Sequence, residues 1–160
     1  TLEAAVAHHI SSGAAQLREQ GTQAHVVGVF VHTNRFREQD AQYHCHRHMV
    51  LSTASADTLR LNQAAVTVLR RMFKPGYAYK KCGIELAGIE NKAIGVQQDL
   101  WLCGPGEKSA RVMEALDQIN DRFGRGSLKI GSELLSTHWH MNRDALSPCF
   151  TTQFADLLVV

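Results

Sequence analysis

Apolar residues return every three or four positions at the start of the chain, at Leu2, Val6, Ile10, Ala14 and Leu17. That spacing predicts an amphipathic helix over residues 1–20, closed by Gly21. His25 to Thr33 is β-branched with no helical period and is expected to be a strand buried on both faces or nearly so. Asn34 to Gln42 is a polar loop that carries Arg35 and Arg37. From Tyr43 to Ser52 the pattern alternates, placing His44, His46, His48 and Val50 on one face of a second strand. Ser52 to Asp57 offers several N-caps for a helix whose stripe is Leu61, Ala65, Val68 and Met72, with Arg60, Arg70 and Arg71 around it.

Pro75 and Gly76 stop that helix. Alternation resumes at Tyr77 and splits the next strand into two faces. Ala78, Lys80, Cys82, Ile84 and Leu86 form a mostly apolar back. Tyr77, Tyr79, Lys81, Gly83 and Glu85 form an aromatic, basic front broken by a glycine. The order helix, strand, strand, helix, strand predicts an α+β fold, a two-layer sandwich with helices on one face of an antiparallel sheet. A sheet with an oily back and a basic, aromatic front suits packing on helices and an open side turned to a polyanion, although an ordinary solvated face would read the same way.

After Gly88 the period fades. Residues 90–108 contain Gly95, Gly104, Pro105 and Gly106 and read as a linker. Within it, Gln97-Gln98-Asp99-Leu100-Trp101 strands two large apolar residues in polar chain, a pattern that points to docking. From Ser109, the stripe Val112, Leu116, Ile119 and Phe123 predicts another helix ended by Gly124, and the remainder to Val160 is mixed.

Composition changes this picture little. At 160 residues, with 44% hydrophobic and 20% charged residues, the chain can hold one full core. The net charge is only +2, but the basic surplus lies before residue 90 and a slight acidic one follows it. Cys45, Cys82, Cys103 and Cys149 are far apart, without a Cys-x-x-Cys pair or a secretory leader, which points to reduced thiols in the cytoplasm. No apolar run approaches the length of a membrane span.

Candidate chemistry is sparse. His44, His46 and His48 share a strand face, but Cys45 points the other way and no acidic ligand is adjacent; His138-Trp139-His140 has the same geometry and the same deficiency for a zinc site. Gly124-Arg125-Gly126 follows a helix, so it is not a dinucleotide fingerprint. No nucleophile elbow is present, and the acids are scattered singly instead of clustered for two-metal catalysis. The residues read as a binding module without catalytic groups. A protein-interaction adaptor stays open beside nucleic-acid binding, and a small metalloenzyme would reveal itself by stoichiometric zinc.

Five motifs in order carry a resemblance: Tyr79-Lys80-Lys81-Cys82-Gly83-Ile84, the Gln97–Trp101 pentapeptide, Gly124-Arg125-Gly126-Ser127-Leu128, Trp139-His140-Met141 and Ser147-Pro148-Cys149-Phe150-Thr151-Thr152. Together they resemble the C-terminal part of the UmuC-type catalytic subunits of bacterial DNA polymerase V, Y-family translesion polymerases. The resemblance implies that residues 1–89 are a little finger domain that grips the DNA duplex backbone. It implies a linker over 90–108 and a tail over 109–160 that meets the accessory polymerase V subunit dimer and the recombinase filament. The family's little finger begins with a strand before the first helix, so this sheet is expected to be one strand short.

The pentapeptide resembles a sliding-clamp motif, with Gln97, Asp99, Leu100 and Trp101 as contacts. Gln98 and Trp101 replace the family's leucine and phenylalanine, and Cys149 and Phe150 stand where Arg and Tyr are usual. The resemblance further implies a role in SOS DNA repair and mutagenesis, with no cofactor in this part and Mg²⁺ in the absent catalytic palm. A bypass polymerase needs backbone grip without a base code, and phosphate contacts supply that. Candidates are Lys81, Lys80, Arg35, Arg37, His32 and Arg47, with Gly83 permitting close approach of a phosphate to the backbone.

Overall fold

The computed structural model describes residues 2–91, 107–136 and 139. Helix α1 (Leu2–Glu19) contains the run Ser11-Ser12-Gly13, poor in helix propensity, so packing must hold it. Its stripe Val6, Ile10, Ala14 and Leu17 is buried as the spacing predicts. Gly13 has a steric reason: a Cβ there would lie 2.9 Å from Leu86 Cδ1, so the glycine lets the helix settle against the third strand. Gly21, at φ 66°, then turns the chain into the sheet.

Strand β1 (Thr22–Thr33) is central, flanked by β2 (His44–Ser55) and β3 (Tyr79–Asn91) in the order β2-β1-β3, all antiparallel. Helices α1 and α2 (Thr58–Met72) cover one face, packing Ile10, Leu61, Val68 and Met72 against Val27, Val29 and Val31. Each such buried side chain contributes about 1.5–3 kcal/mol. The described residues therefore form an α+β two-layer sandwich, with a three-stranded sheet. Two expectations are corrected. β1 buries Val27, Val29 and Val31 on the helix side, while on the other face Gly28 is buried but Phe30 and His32 keep part of their surface in water. β3 alternates as expected from Lys81 to Leu86, but a bulge between His32 and Thr33 of β1 pairs Thr33 with Tyr79 and leaves Lys80 as the extra residue. Tyr79 consequently packs against the core instead of joining Lys81 on the front.

Asp57 caps α2, its Oδ1 accepting from the Leu59 and Arg60 amides at 2.8 and 3.3 Å. At the other end of α2, the Tyr43 hydroxyl donates to the Met72 carbonyl at 2.8 Å. The Tyr79 hydroxyl bonds both the amide and the carbonyl of Lys74 at 2.9 Å. Tyr43, Tyr77, Tyr79 and Phe73 form one aromatic cluster there, with the Lys74 ammonium 4.8 Å from the Tyr43 ring centre.

Helix α3 (Glu107–Phe123) and a 3₁₀ turn (Gly131–Leu135) lie against the helix layer. The predicted α3 stripe is split: Val112, Ile119 and Phe123 are exposed, Leu116 is half-buried, and Met113 is the buried residue among those described in this helix. Polar bonds dominate the seam. Arg18 donates through Nε and Nη2 to the Asp117 carboxylate at 2.5 and 2.6 Å, and through Nη1 to the Ala56 carbonyl at 2.7 Å and Thr58 Oγ1 at 2.9 Å. Buried Glu133 accepts from Ser11 Oγ at 2.7 Å and lies 3.2 Å from His8 Nδ1. Asn62 donates to Ser132 at 3.1 Å, and Ser109 bonds the Asp57 carboxylate. No helix among the described residues is long and apolar enough to cross a membrane.

Candidate nucleic-acid interface

The sheet face opposite the helices is built in cross-strand rows. His32 pairs with His44 and Lys81, Phe30 with His46 and Gly83, and Gly28 with His48 and Glu85. Directly paired residues share a face, so His32, His44, His46, His48 and Lys81 look out together. In these rows Glu85 is the sole carboxylate, and it is engaged: its Oε2 lies 3.1 Å from His46 Nε2. The pair reaches across the central strand above Gly28, where a Cβ would come within 3.0 Å of the imidazole.

Gly83 sits under an aromatic ring. A Cβ at this position would lie 2.3 Å from Phe30 Cζ, so the ring occupies the space the missing side chain leaves. Phe30 in turn stacks on His32 with ring centres 6.3 Å apart, and His32 lies 6.1 Å from His44. Close phosphate approach to the Gly83 backbone, the role expected from sequence, would have to share that space with the ring.

The strand ends concentrate the cations. Lys81 heads the first row and Lys80 projects from the adjoining bulge, both exposed. The β1–β2 loop, with Arg35 and Arg37, opens at that same end, and Arg37 lies 3.8 Å from Asp40. No ion pair among the described residues engages Lys80, Lys81 or Arg35. Arg47 is not brought to this group. Its cross-strand partner is Val29 of the core, so it belongs to the helix-side face, although it is exposed. The pentapeptide Gln97–Trp101 lies outside the described residues.

Sequence reasoning missed Phe36, which is 95% exposed between Arg35 and Arg37 at the loop tip. Its signal was an aromatic flanked by two arginines in an otherwise polar stretch. Among the described residues no group of three or more His, Cys, Asp or Glu side chains is arranged to hold a metal ion. Burial pushes the Cys82 thiol up from its ordinary range. Hydrogen bonding with the Cys45 side chain, and then burial, push the Tyr43 hydroxyl up to about 12. Both groups face the helix layer, so neither contributes to the exposed face.

Residues 1–100 match the impB/mucB/samB family C-terminal domain. The chain belongs to this family. Residues 110–160 match a separate domain of unknown function, which covers most of α3 and the 3₁₀ turn. Protein UmuC of Salmonella typhimurium is 30% identical over 156 residues, 98% of this chain and 37% of that protein. Protein MucB of Salmonella typhimurium is 30% identical over 157 residues, with the same coverage. DNA polymerase IV of Pelotomaculum thermopropionicum is 36% identical over 83 residues, 51% of this chain and 19% of that protein. The chain thus spans little more than a third of the length of the UmuC and MucB relatives.

Proposed function

We propose that this chain is the DNA-gripping little finger and C-terminal region of an error-prone translesion DNA polymerase, acting in SOS repair in the cytoplasm. The observation that carries this reading is the open sheet face, where Lys81, Lys80 and Arg35 stand without ion-pair partners among the described residues at one end of a histidine-rich surface. Backbone contacts of this kind hold a duplex without reading its sequence, as copying of any template demands. The division into a little finger over 1–89, a linker over 90–108 and a tail over 109–160 belongs to the same proposal. So do clamp docking by Gln97–Trp101 and tail contacts with an accessory subunit dimer and a recombinase filament. Nucleotidyl transfer, with its Mg²⁺, would reside in other parts of the protein.

Salt titration of duplex binding tests the proposal. With about four phosphates neutralised, log affinity falls against log salt with a slope near −3.6. Lys81→Ala lowers that slope by about one unit and weakens all sequences alike. Binding indifferent to salt, or unchanged when Lys80, Lys81, Arg35 and Arg37 are all replaced, would leave a protein adaptor as the better reading.

A further inference from the structure

Phe36 is a large apolar side chain held almost entirely in water on a loop that is tied down, not slack. Asn34 Oδ1 accepts from the Phe36 amide at 3.1 Å, and the Asn34 carbonyl accepts from the Arg37 amide at 3.2 Å. The Arg37 carbonyl in turn accepts from the Asp40 amide at 3.2 Å. Inside the loop, Gln42 Nε2 reaches the carbonyls of Asn34, Arg37 and Asp40 at 3.2, 2.9 and 3.0 Å. The same amide's oxygen accepts from Thr33 Oγ1 at 2.8 Å, fastening the loop to the end of β1. The aromatic cluster of Tyr43 and Tyr79 anchors the strands just below. With the backbone beneath it fixed in this way, only the ring's own rotations remain to be lost when it binds, which suits a recognition element.

We infer that Phe36 is a stacking platform for an unpaired nucleobase, so that the chain prefers a duplex bordered by single-stranded template to continuous duplex. The inference rests on the DNA-gripping reading above and names the form of DNA that the site favours. Charge decides the occupant. Arg35 and Arg37 are the chain neighbours of Phe36, and the Lys81 row and Lys80 lie at the strand ends from which the loop springs. Alternating cations and an aromatic face are the elements that hold single strands, the base on the ring and its phosphates on the cations. Glu38 and Asp40 share the loop, and Asp40 lies beside Arg37. An apolar pocket on a protein would have to desolvate all four charged neighbours to admit one ring, whereas a stacked base leaves them in water. Every base has a flat π face, so the preference is independent of sequence.

The test compares one duplex in two forms, blunt and with a single-stranded extension containing 2-aminopurine, titrated with the 160-residue chain at fixed salt. The extended form is expected to bind about tenfold more tightly, the scale of one base–aromatic stack. Fluorescence of the reporter base should be quenched on binding. Phe36→Ala should bring the two affinities together while leaving blunt-duplex affinity and its salt slope unchanged, and Phe36→Tyr should restore the preference. Gln42→Ala, which frees the loop and keeps the ring, should lower the preference part of the way. A preference that survives Phe36→Ala, or its absence from the unaltered chain, overturns the inference and leaves a protein pocket as the ring's partner. If blunt-duplex binding ignores salt while extension binding and quenching still depend on Phe36, the gripping proposal fails and the stacking platform stands.

Discussion

The two sides of this molecule use charge in opposite ways. On the helix side, Arg18 is only 15% exposed, and all three of its nitrogens bond Asp117, Thr58 or the backbone of Ala56. On the sheet side, Lys80 and Lys81 stand in water with no carboxylate partner among the described residues. A count of basic residues treats the three alike. Position in the fold separates them: a guanidinium whose three nitrogens are all engaged is structure, whereas an ammonium left unpaired beside a row of imidazoles is available to an outside anion.

The largest expected effect breaks the helix side. Arg18→Ala strands the Asp117 carboxylate, the Ala56 carbonyl and Thr58 at a partly buried seam, at a cost of about 2–4 kcal/mol in urea denaturation. Arg18→Lys should recover little, because a point charge cannot replace the bidentate fork. Blunt-duplex affinity at low denaturant should not move. If it falls with stability intact, the two sides are coupled and the comparison fails.

A smaller effect sharpens the sheet side. Gly83→Ala pushes a methyl into the Phe30 ring and should destabilise by about 1–2 kcal/mol, since overpacking a half-exposed ring is partly relieved by its movement. In a Phe30→Ala background the same change should cost almost nothing, so a double-mutant cycle isolates the ring–glycine contact. Equal costs in both backgrounds would assign the glycine to the backbone alone.

The smallest effect appears only at alkaline pH. Tyr43 is held un-ionised up to about 12 in the fold, while an unfolded tyrosine ionises near its ordinary value of about 10. The stability this contributes is complete below the unfolded value and is lost as pH rises from there toward 12. Tyr43→Phe should flatten that part of the stability–pH curve, and an unchanged slope would show that the hydroxyl is not the group responsible. Lys81→Ala, by contrast, should leave stability within about 0.5 kcal/mol, as expected for an exposed surface side chain.

Much of the architecture was legible because two periods are hard to imitate. Val6, Ile10, Ala14 and Leu17 could only share a helical face, and Cys82, Ile84 and Leu86 could only share a strand face. Tyr79 was misread because the bulge at Lys80 is fixed by pairing with β1, which no local pattern encodes. The valine-rich β1 suggested burial on both sides, but β-branched residues suit a central strand with one open face equally well. On α3, period revealed a stripe without revealing which side met the body; Met113 and the Arg18–Asp117 pair mark that side. Within the site, Lys81, Arg35 and Arg37 were visible as charges in strand and loop. Arg47 was visible too, but only its register opposite Val29 shows that it sits on the other face. Phe36 escaped because an aromatic in a polar loop is ordinarily read as part of some core.

Among the described residues the sheet ends at β2 on one side and β3 on the other. An edge strand with free amides and carbonyls invites a neighbouring molecule to add itself, the first step toward fibrous aggregates. Each edge here is interrupted. β3 carries the bulge at Lys80 and a left-handed Gly88 at φ 61°, and β2 loses regular register between Val50 and Ser55. Interrupted strands twist away from the flat ladder that stacking requires, and the adjacent lysines repel a second copy presenting the same edge. The irregularity that misplaced Tyr79 in the reading of β3 therefore also helps keep one molecule's sheet from continuing into the next.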